Sequence, residues 1–317
     1  MFGVRSAILA SAILLSATPA SAQNAQNLTF ATGRQGGYQY PITVALAQIM
    51  EKVPGVGRVT LQPGGGTGNV IAVGIGKAQL GITYTPDTRH GIEGMPPYKQ
   101  KLPSLVQLFA LNASKAVVIV PADSPVKEFK DLAGKKVNSG PVGFSITTLS
   151  RKVYAMAGMA KKVDESHLEV SDAVEQFKDG HLDGLFYAPS DWYGPYVDLS
   201  LSRKIRLVPL PADVMEKLLA EEPGYFRTKF PIQKDLYKGL VNQVETIGYF
   251  TNIIANKEKI DDELAYNLTK AVAENWVKVQ GSEPSLKLLE PKDLALQAGV
   301  PIHPGSLRYF KERGWVQ

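Results

Sequence analysis

The chain has 317 residues, 35 basic and 30 acidic side chains, and no cysteine. That length suggests two domains, and the small positive excess is dispersed in isolated pairs such as Lys135-Lys136 and Lys161-Lys162, which gives nucleic-acid binding little support. Without cysteine the fold has no disulfides to lean on, and no lipid-modified cysteine can anchor it.

The amino terminus reads as a leader. Arg5 supplies a positive start, Ala7 to Ala17 is almost wholly apolar, and Ala20-Ser21-Ala22 offers small residues for cleavage before Gln23. The apolar run falls short of the ~20 residues that span a bilayer. Export with removal of residues 1–22 is therefore expected, leaving a soluble protein. With no lipid anchor it needs an outer membrane to retain it, so the expected location is the periplasm.

Along the chain, three extended apolar segments run through glycines into helical patterns. Leu28 to Ala31 leads to Gly33-Arg34-Gln35-Gly36-Gly37, then to Ile42, Leu46, Ile49 and Met50 at helical spacing. Val59 to Leu61 leads to Gly64-Gly65-Gly66-Thr67-Gly68, then to a helix from Asn69 to about Lys77. Lys136 to Asn138 leads to Gly140-Pro141-Val142-Gly143, then to a helix from Ser145 to about Met156. This alternation predicts βαβ units and a largely parallel sheet. Further strands are expected at 80–84, 105–111, 116–120, 185–187, 205–208 and 246–254. Further helices are expected at 171–178, 213–220, 261–279 and 291–299. In the 261–279 helix, Leu264, Leu268, Ala271, Val272 and Trp276 form the stripe predicted to face the core.

A glycine turn between strand and helix is a natural anion site. The backbone comes close, the first helical N–H groups are unpaired, and the helix dipole is positive there. Three such turns at carboxyl ends of strands outline one binding region. None is a nucleotide fingerprint: the G-x-G-x-x-G spacing and the Gly-Lys-Ser/Thr ending are both missing. The candidate ligand contacts are Arg34, Gln35, Gly36, Gly37, Tyr38 and Tyr40 from the first turn and Gly65, Thr67 and Asn69 from the second. Tyr84 and Thr85 join them from the end of the third strand, with Gly143, Ser145, Tyr187 and Trp192 further along. Arg34 reads either as a two-bond clamp on a carboxylate or as a solvated surface arginine. The tyrosines suit the wall of a polar pocket.

Catalytic and metal patterns are missing. No G-x-S-x-G occurs, and His90, His167, His181 and His303 form neither H-E-x-x-H nor a close pair. Asp87, Asp172, Asp183 and Asp191 are scattered without an acid/base partner, and His303, in Pro301-Ile302-His303-Pro304-Gly305, is expected to make a structural hydrogen bond.

These segments resemble the TAXI family of solute receptors, which serve tripartite ATP-independent periplasmic (TRAP) transporters. Thr32-Gly33-Arg34-Gln35-Gly36-Gly37-Tyr38-Gln39-Tyr40-Pro41 looks like the family's G-T-G-x-x-G-G-x-Y-Y-P, and Gly64 to Asn69 resembles T-G-G-S-x-x-N. Asp131 to Gly140 resembles D-L-K-G-K-x-V-x-x-G, Gly180 to Phe186 resembles G-x-I-D-A-x-F, and Ile302 to Phe310 looks like L-H-P-G-A-x-R-Y-Y, the most specific of the set. The resemblance implies an α/β, type II periplasmic-binding-protein fold: two lobes, a hinge and a ligand cleft, with no catalysis and no cofactor. It implies a TRAP-type permease as partner and small acids such as glutamate or 2-oxoglutarate as ligands. Arg34 and Gln35 stand where the family has small hydroxyl residues. Its second-lobe G-S-G becomes Gly143-Phe144-Ser145, and its T-G-G-S serine becomes Gly66. These departures point to a different or larger anion.

The expected organisation is a monomer with lobe 1 at 23–112 and 246–317 and lobe 2 at 113–245. Three alternatives share the sequence features: the binding protein of an ATP-driven importer, a ligand-presenting subunit of a membrane sensor, and a periplasmic enzyme.

Overall fold

The computed structural model describes residues 25–35, 37–231, 234–297 and 299–317. The expected leader and Gly36 lie outside the described residues. The chain opens with strand β1 (Gln26–Thr32), whose side chains alternate: Leu28 and Phe30 enter one core and Ala31 the other. Helix α1 (Gln39–Met50) buries Ile42, Leu46, Ile49 and Met50 against the first of these cores. Strand β2 (Val56–Pro63), helix α2 (Gly66–Gly74), strand β3 (Leu80–Tyr84) and helix α3 (Thr85–Glu93) follow. Both β2 and β3 pair with β1 in parallel, so the glycine turns after β1 and β2 open at one edge of the sheet.

Strand β4 (Leu105–Lys115) leaves this sheet, and β5 (Val117–Pro121) continues into a second one. In β5, Val118 and Val120 face one core while Val117 and Ile119 face another. The second unit adds β6 (Lys136–Asn138), α4 (Ser145–Met156), β7 (Asp164–Ser166), α5 (Val170–Lys178), β8 (Gly184–Tyr187), α6 (Gly194–Ser202), β9 (Ile205–Val208) and α7 (Ala212–Glu221). Its strand order is β7-β6-β8-β5-β9. Strand β10 (Phe226–Phe230) and the long β11 (Val244–Asn256) bring the chain back. The first sheet is ordered β10-β11-β3-β1-β2, with β4 also on β11. Helices α8 (Asp262–Glu274), α9 (Trp276–Gln280) and α10 (Pro304–Glu312) complete the first unit.

The two units are joined by strands lying side by side. The Ala116 N–H donates to the Ile247 carbonyl at 3.0 Å, and the Thr246 hydroxyl donates to the Ala116 carbonyl. Outgoing β4 and returning β11 pair antiparallel over most of their length, so the link is a two-strand ribbon.

Three expectations need correction. The sheets are mixed and not largely parallel, because the returning β11 runs antiparallel to β3 and β4, and β5 runs antiparallel to β8 and β9. The helix expected over 261–279 breaks at Asn275, whose side-chain amide bonds back to the Ala271 carbonyl at 2.9 Å. The predicted stripe does meet the core: Leu268, Val272 and Trp276 are buried in it, Leu264 and Ala271 pack against it, and Ala265, Thr269 and Ala273 widen the buried face. Of the helix expected over 291–299, Pro291–Ala295 forms a short 3-10 turn. Helices α3, α6 and α10 were absent from the periodicity reading; each has proline in its first turn, where the missing N–H costs nothing but the sequence looks interrupted.

Candidate functional site

Some of the expected contact residues serve the scaffold. Asn69 is 2% exposed, and its amide donates to the carbonyls of Thr32 at 3.2 Å and Ile82 at 2.8 Å. It therefore stitches α2 onto the ends of β1 and β3, and both of its N–H donors point inward. Thr85 is fully buried; its hydroxyl donates to the Gly224 carbonyl at 2.7 Å and accepts from the Phe250 N–H at 3.2 Å. Tyr38 donates its hydroxyl to Asn112, and burial pushes that hydroxyl's pKa up.

Other residues meet between the two units. The Ser145 hydroxyl, at the first residue of α4, donates to Asp87 Oδ2 at 2.7 Å, in the first turn of α3. The first residue of α2, Gly66, adjoins both: a Cβ there would lie 3.2 Å from Ser145 Oγ and 3.5 Å from Asp87 Oδ2. Gly66 and Gly143 hold positive φ, +21° and +89°, where a side chain would strain the turn. The starts of α2, α3 and α4 thus converge on one carboxylate. Burial raises the Asp87 pKa, and the Ser145 hydrogen bond opposes that rise.

A second contact follows from helical spacing. His90 lies one turn beyond Asp87 on α3, and Lys152 lies two turns beyond Ser145 on α4. Both reach Glu222, just after α7: His90 Nε2 is 2.5 Å from one carboxylate oxygen and the Lys152 ammonium contacts the other. Arg34 occupies the rim. Its guanidinium pairs with Glu169 at 2.8 Å and lies 4.5 Å from the Phe144 ring centre. Gln35, Gly65 and Gly143 are exposed nearby, while Gly37, Tyr40 and Thr67 are half-buried.

Tyrosines wall the floor. Tyr84 meets Tyr249 edge-to-face at 5.2 Å, and Tyr249 meets Tyr225 likewise at 5.8 Å. Tyr187 stacks on Tyr193 at 5.6 Å, and Trp192 packs against Gly194. Burial raises the pKa of Tyr84, Tyr225 and Tyr249, and the neighbouring Asp87 charge adds to the rise in each. These hydroxyls therefore stay neutral. Sequence reading found Tyr84 and Tyr187 but missed Tyr225 and Tyr249, which the chain brings in from the return path.

Behind the floor, the Lys115 ammonium at the end of β4 is 1% exposed and lies 2.5 Å from Asp191 of the second unit. The pair borders a recess of about 210 Å³ that Asn112, Phe226, Phe250 and Ser285 also line. A larger concavity, about 800 Å³, lies on the outer face between α1 and α8–α9, away from the glycine turns.

A family model described as the NMT1-like family matches residues 30–314. The chain belongs to the NMT1-like family. Among solved structures it is similar to a chain from the glutathione import system of Streptococcus mutans that uses GshT and the cystine ABC importer TcyBC. The identity is 12%, the match covers 86% of this chain and 98% of that one, and the TM-score is 0.51. It also matches the periplasmic aliphatic sulphonate binding protein SsuA of Escherichia coli, at 19% identity over 90% of this chain and 78% of that one, with a TM-score of 0.47. The NMT1-like chain thus has the two-lobed α/β fold of periplasmic solute-binding proteins. Among the described residues, no helix is long and apolar enough to cross a membrane.

Proposed function

We infer that this protein is an exported solute-binding receptor that captures a small carboxylate-bearing metabolite between its lobes and delivers it to a membrane importer. The observation that carries this reading is the convergence of the α2, α3 and α4 starts from two lobes joined by a two-strand ribbon. Unpaired N–H groups at helix starts suit an anionic group, and a ribbon hinge suits closure around it. The ribbon supports a lobe division at about 112–113 and 245–246. The leader expected at residues 1–22 supports periplasmic delivery.

The importer is proposed to be ATP-driven, the kind of partner named for the structurally similar Streptococcus mutans system. The motif resemblance to TAXI receptors, strongest at Ile302 to Phe310, favours a TRAP-type permease as the second reading. Native mass spectrometry of protein purified without denaturation should show one small ligand per chain, and a ligand-free spectrum that no added metabolite changes would refute the receptor reading. Uptake of that ligand into proteoliposomes carrying the permease encoded beside this gene then separates the partners. ATP dependence supports the first and an imposed ion gradient the second.

A further inference from the structure

We propose that Lys115 is a positioning residue for ligand capture: from the ribbon between the lobes it holds the segment 188–193, and with it an aromatic wall of the cleft, in place. This rests on the receptor reading above and adds a residue that acts on the ligand through others. The segment joins β8 to α6 and has no helix or strand of its own. Because β8 runs parallel to β6, the segment leaves the second sheet at the same edge as the glycine turn at 140–143. The helix after that turn places Ser145 against Asp87 of the other lobe. The segment carries Trp192 and Tyr193, and Tyr193 stacks on Tyr187 with ring centres 5.6 Å apart.

Lys115 holds this segment at two points. It is the last residue of β4 and lies opposite Gly248 of β11. Its backbone N–H donates to the Pro189 carbonyl at 2.9 Å, and its ammonium lies 2.5 Å from Asp191 Oδ2. Inside the segment the Ser190 hydroxyl donates to the Trp192 carbonyl at 2.6 Å, which ties the tryptophan to the anchored residues. A buried ion pair is often no more stable than apolar residues of the same volume. What it adds is direction. An apolar side chain packs against whatever fills the space, whereas the almost wholly buried ammonium is satisfied where Asp191 is. The recess of about 210 Å³ that borders the pair leaves the flank at Asp191 without close packing, so shape alone does not fix the segment there.

The test begins with hydrogen–deuterium exchange on the ligand-free protein beside Lys115→Met/Asp191→Asn, which neutralises both partners at nearly constant volume and strands no ion. Peptides spanning 188–193 should exchange at least about tenfold faster in the variant, while α4 and α5 keep the parent's rates. Asp191→Asn alone is read in the same way should the double variant not fold. For the ligand readout, L-amino acids, 2-oxo acids and dicarboxylates are screened by melting shift, and the strongest binder is titrated by calorimetry. Its dissociation constant should rise at least about tenfold in the variant, at a temperature where both proteins are fully folded. A pair that serves stability alone would lower the melting midpoint and leave that constant where it is. Parent-like exchange in 188–193, or unchanged affinity, would overturn the positioning role and leave the receptor reading standing. A panel without a binder would count against the receptor reading, and exchange alone would then decide whether Lys115 holds the segment.

Discussion

The polar links between the lobes come in two kinds. At the rim, Arg34 and Glu169 face each other with 54% and 53% of their side chains exposed. Deeper in, Lys115 meets Asp191 and His90 meets Glu222, with Lys115 and Glu222 almost wholly buried. Charge alone does not distinguish them; water does. An exposed pair gains little because solvent already stabilises both ions, and such pairs are worth about 0.2–1 kcal/mol. Removing one member of a buried pair strands the other away from water, at about 3–5 kcal/mol. Losing the rim contact is therefore expected to cost little, whereas losing a deep contact is expected to destabilise this arrangement of the lobes.

The sharpest way to break this contrast is Asp191→Ala. It strands the Lys115 ammonium, whose pKa burial lowers and Asp191 partly restores. The expected loss is about 3 kcal/mol in urea unfolding, and a loss as small as that of a rim residue would erase the distinction. Asn69→Ala comes next. It removes two donors from buried carbonyls, for about 1–3 kcal/mol, and a smaller change would return Asn69 to the list of ligand contacts.

His303 extends the contrast to pH. Its Nδ1 accepts from the Gly305 N–H at 3.3 Å and its Nε2 donates to the Ile260 carbonyl at 2.9 Å, an arrangement open to the neutral ring alone. Burial lowers its pKa. The unfolded chain takes up the proton first, so this contribution is complete above an ordinary histidine value of about 6.5 and is lost as pH falls toward the lower folded value. Stability measured between neutral pH and about 5 should decline, and His303→Gln should flatten that decline; an unchanged slope would clear His303 of the effect. The smallest effect is expected at the rim, where Arg34→Ala should cost no more than about 1 kcal/mol in ligand-free melting. A larger cost would move the rim pair into the buried class. Titration of the same variant with the ligand recovered by native mass spectrometry tests the carboxylate clamp read from sequence. Unchanged affinity would assign Arg34 to closure with Glu169 and Phe144 in place of ligand contact.

Much of the framework is legible in the residues. The Lys136–Asn138 strand and the Ser145–Met156 helix emerge with the bounds the pattern predicts, since a change from extended apolar run to glycine turn to helical period is a local signal. His303 likewise takes the structural hydrogen bond expected between its two prolines. The roles of the site residues were less legible. Asn69 follows a glycine turn as a ligand contact would, yet nothing nearby in sequence indicates that the Thr32 and Ile82 carbonyls lie within its reach. Asp87 reads as one of several scattered acids until Pro86 is recognised as a helix start.

The sequence by itself determined the strand-to-helix cycles and the glycine turns, because backbone conformation and side-chain periodicity are set by near neighbours. Tertiary structure decided which polar groups lose their water and which find partners. Asp87 and Ser145 are 58 residues apart, and Arg34 and Glu169 are 135 apart. Burial and charge pairing are properties of the folded neighbourhood, so the same carboxylate is a solvated surface group in one fold and, in this one, the meeting point of three helix starts.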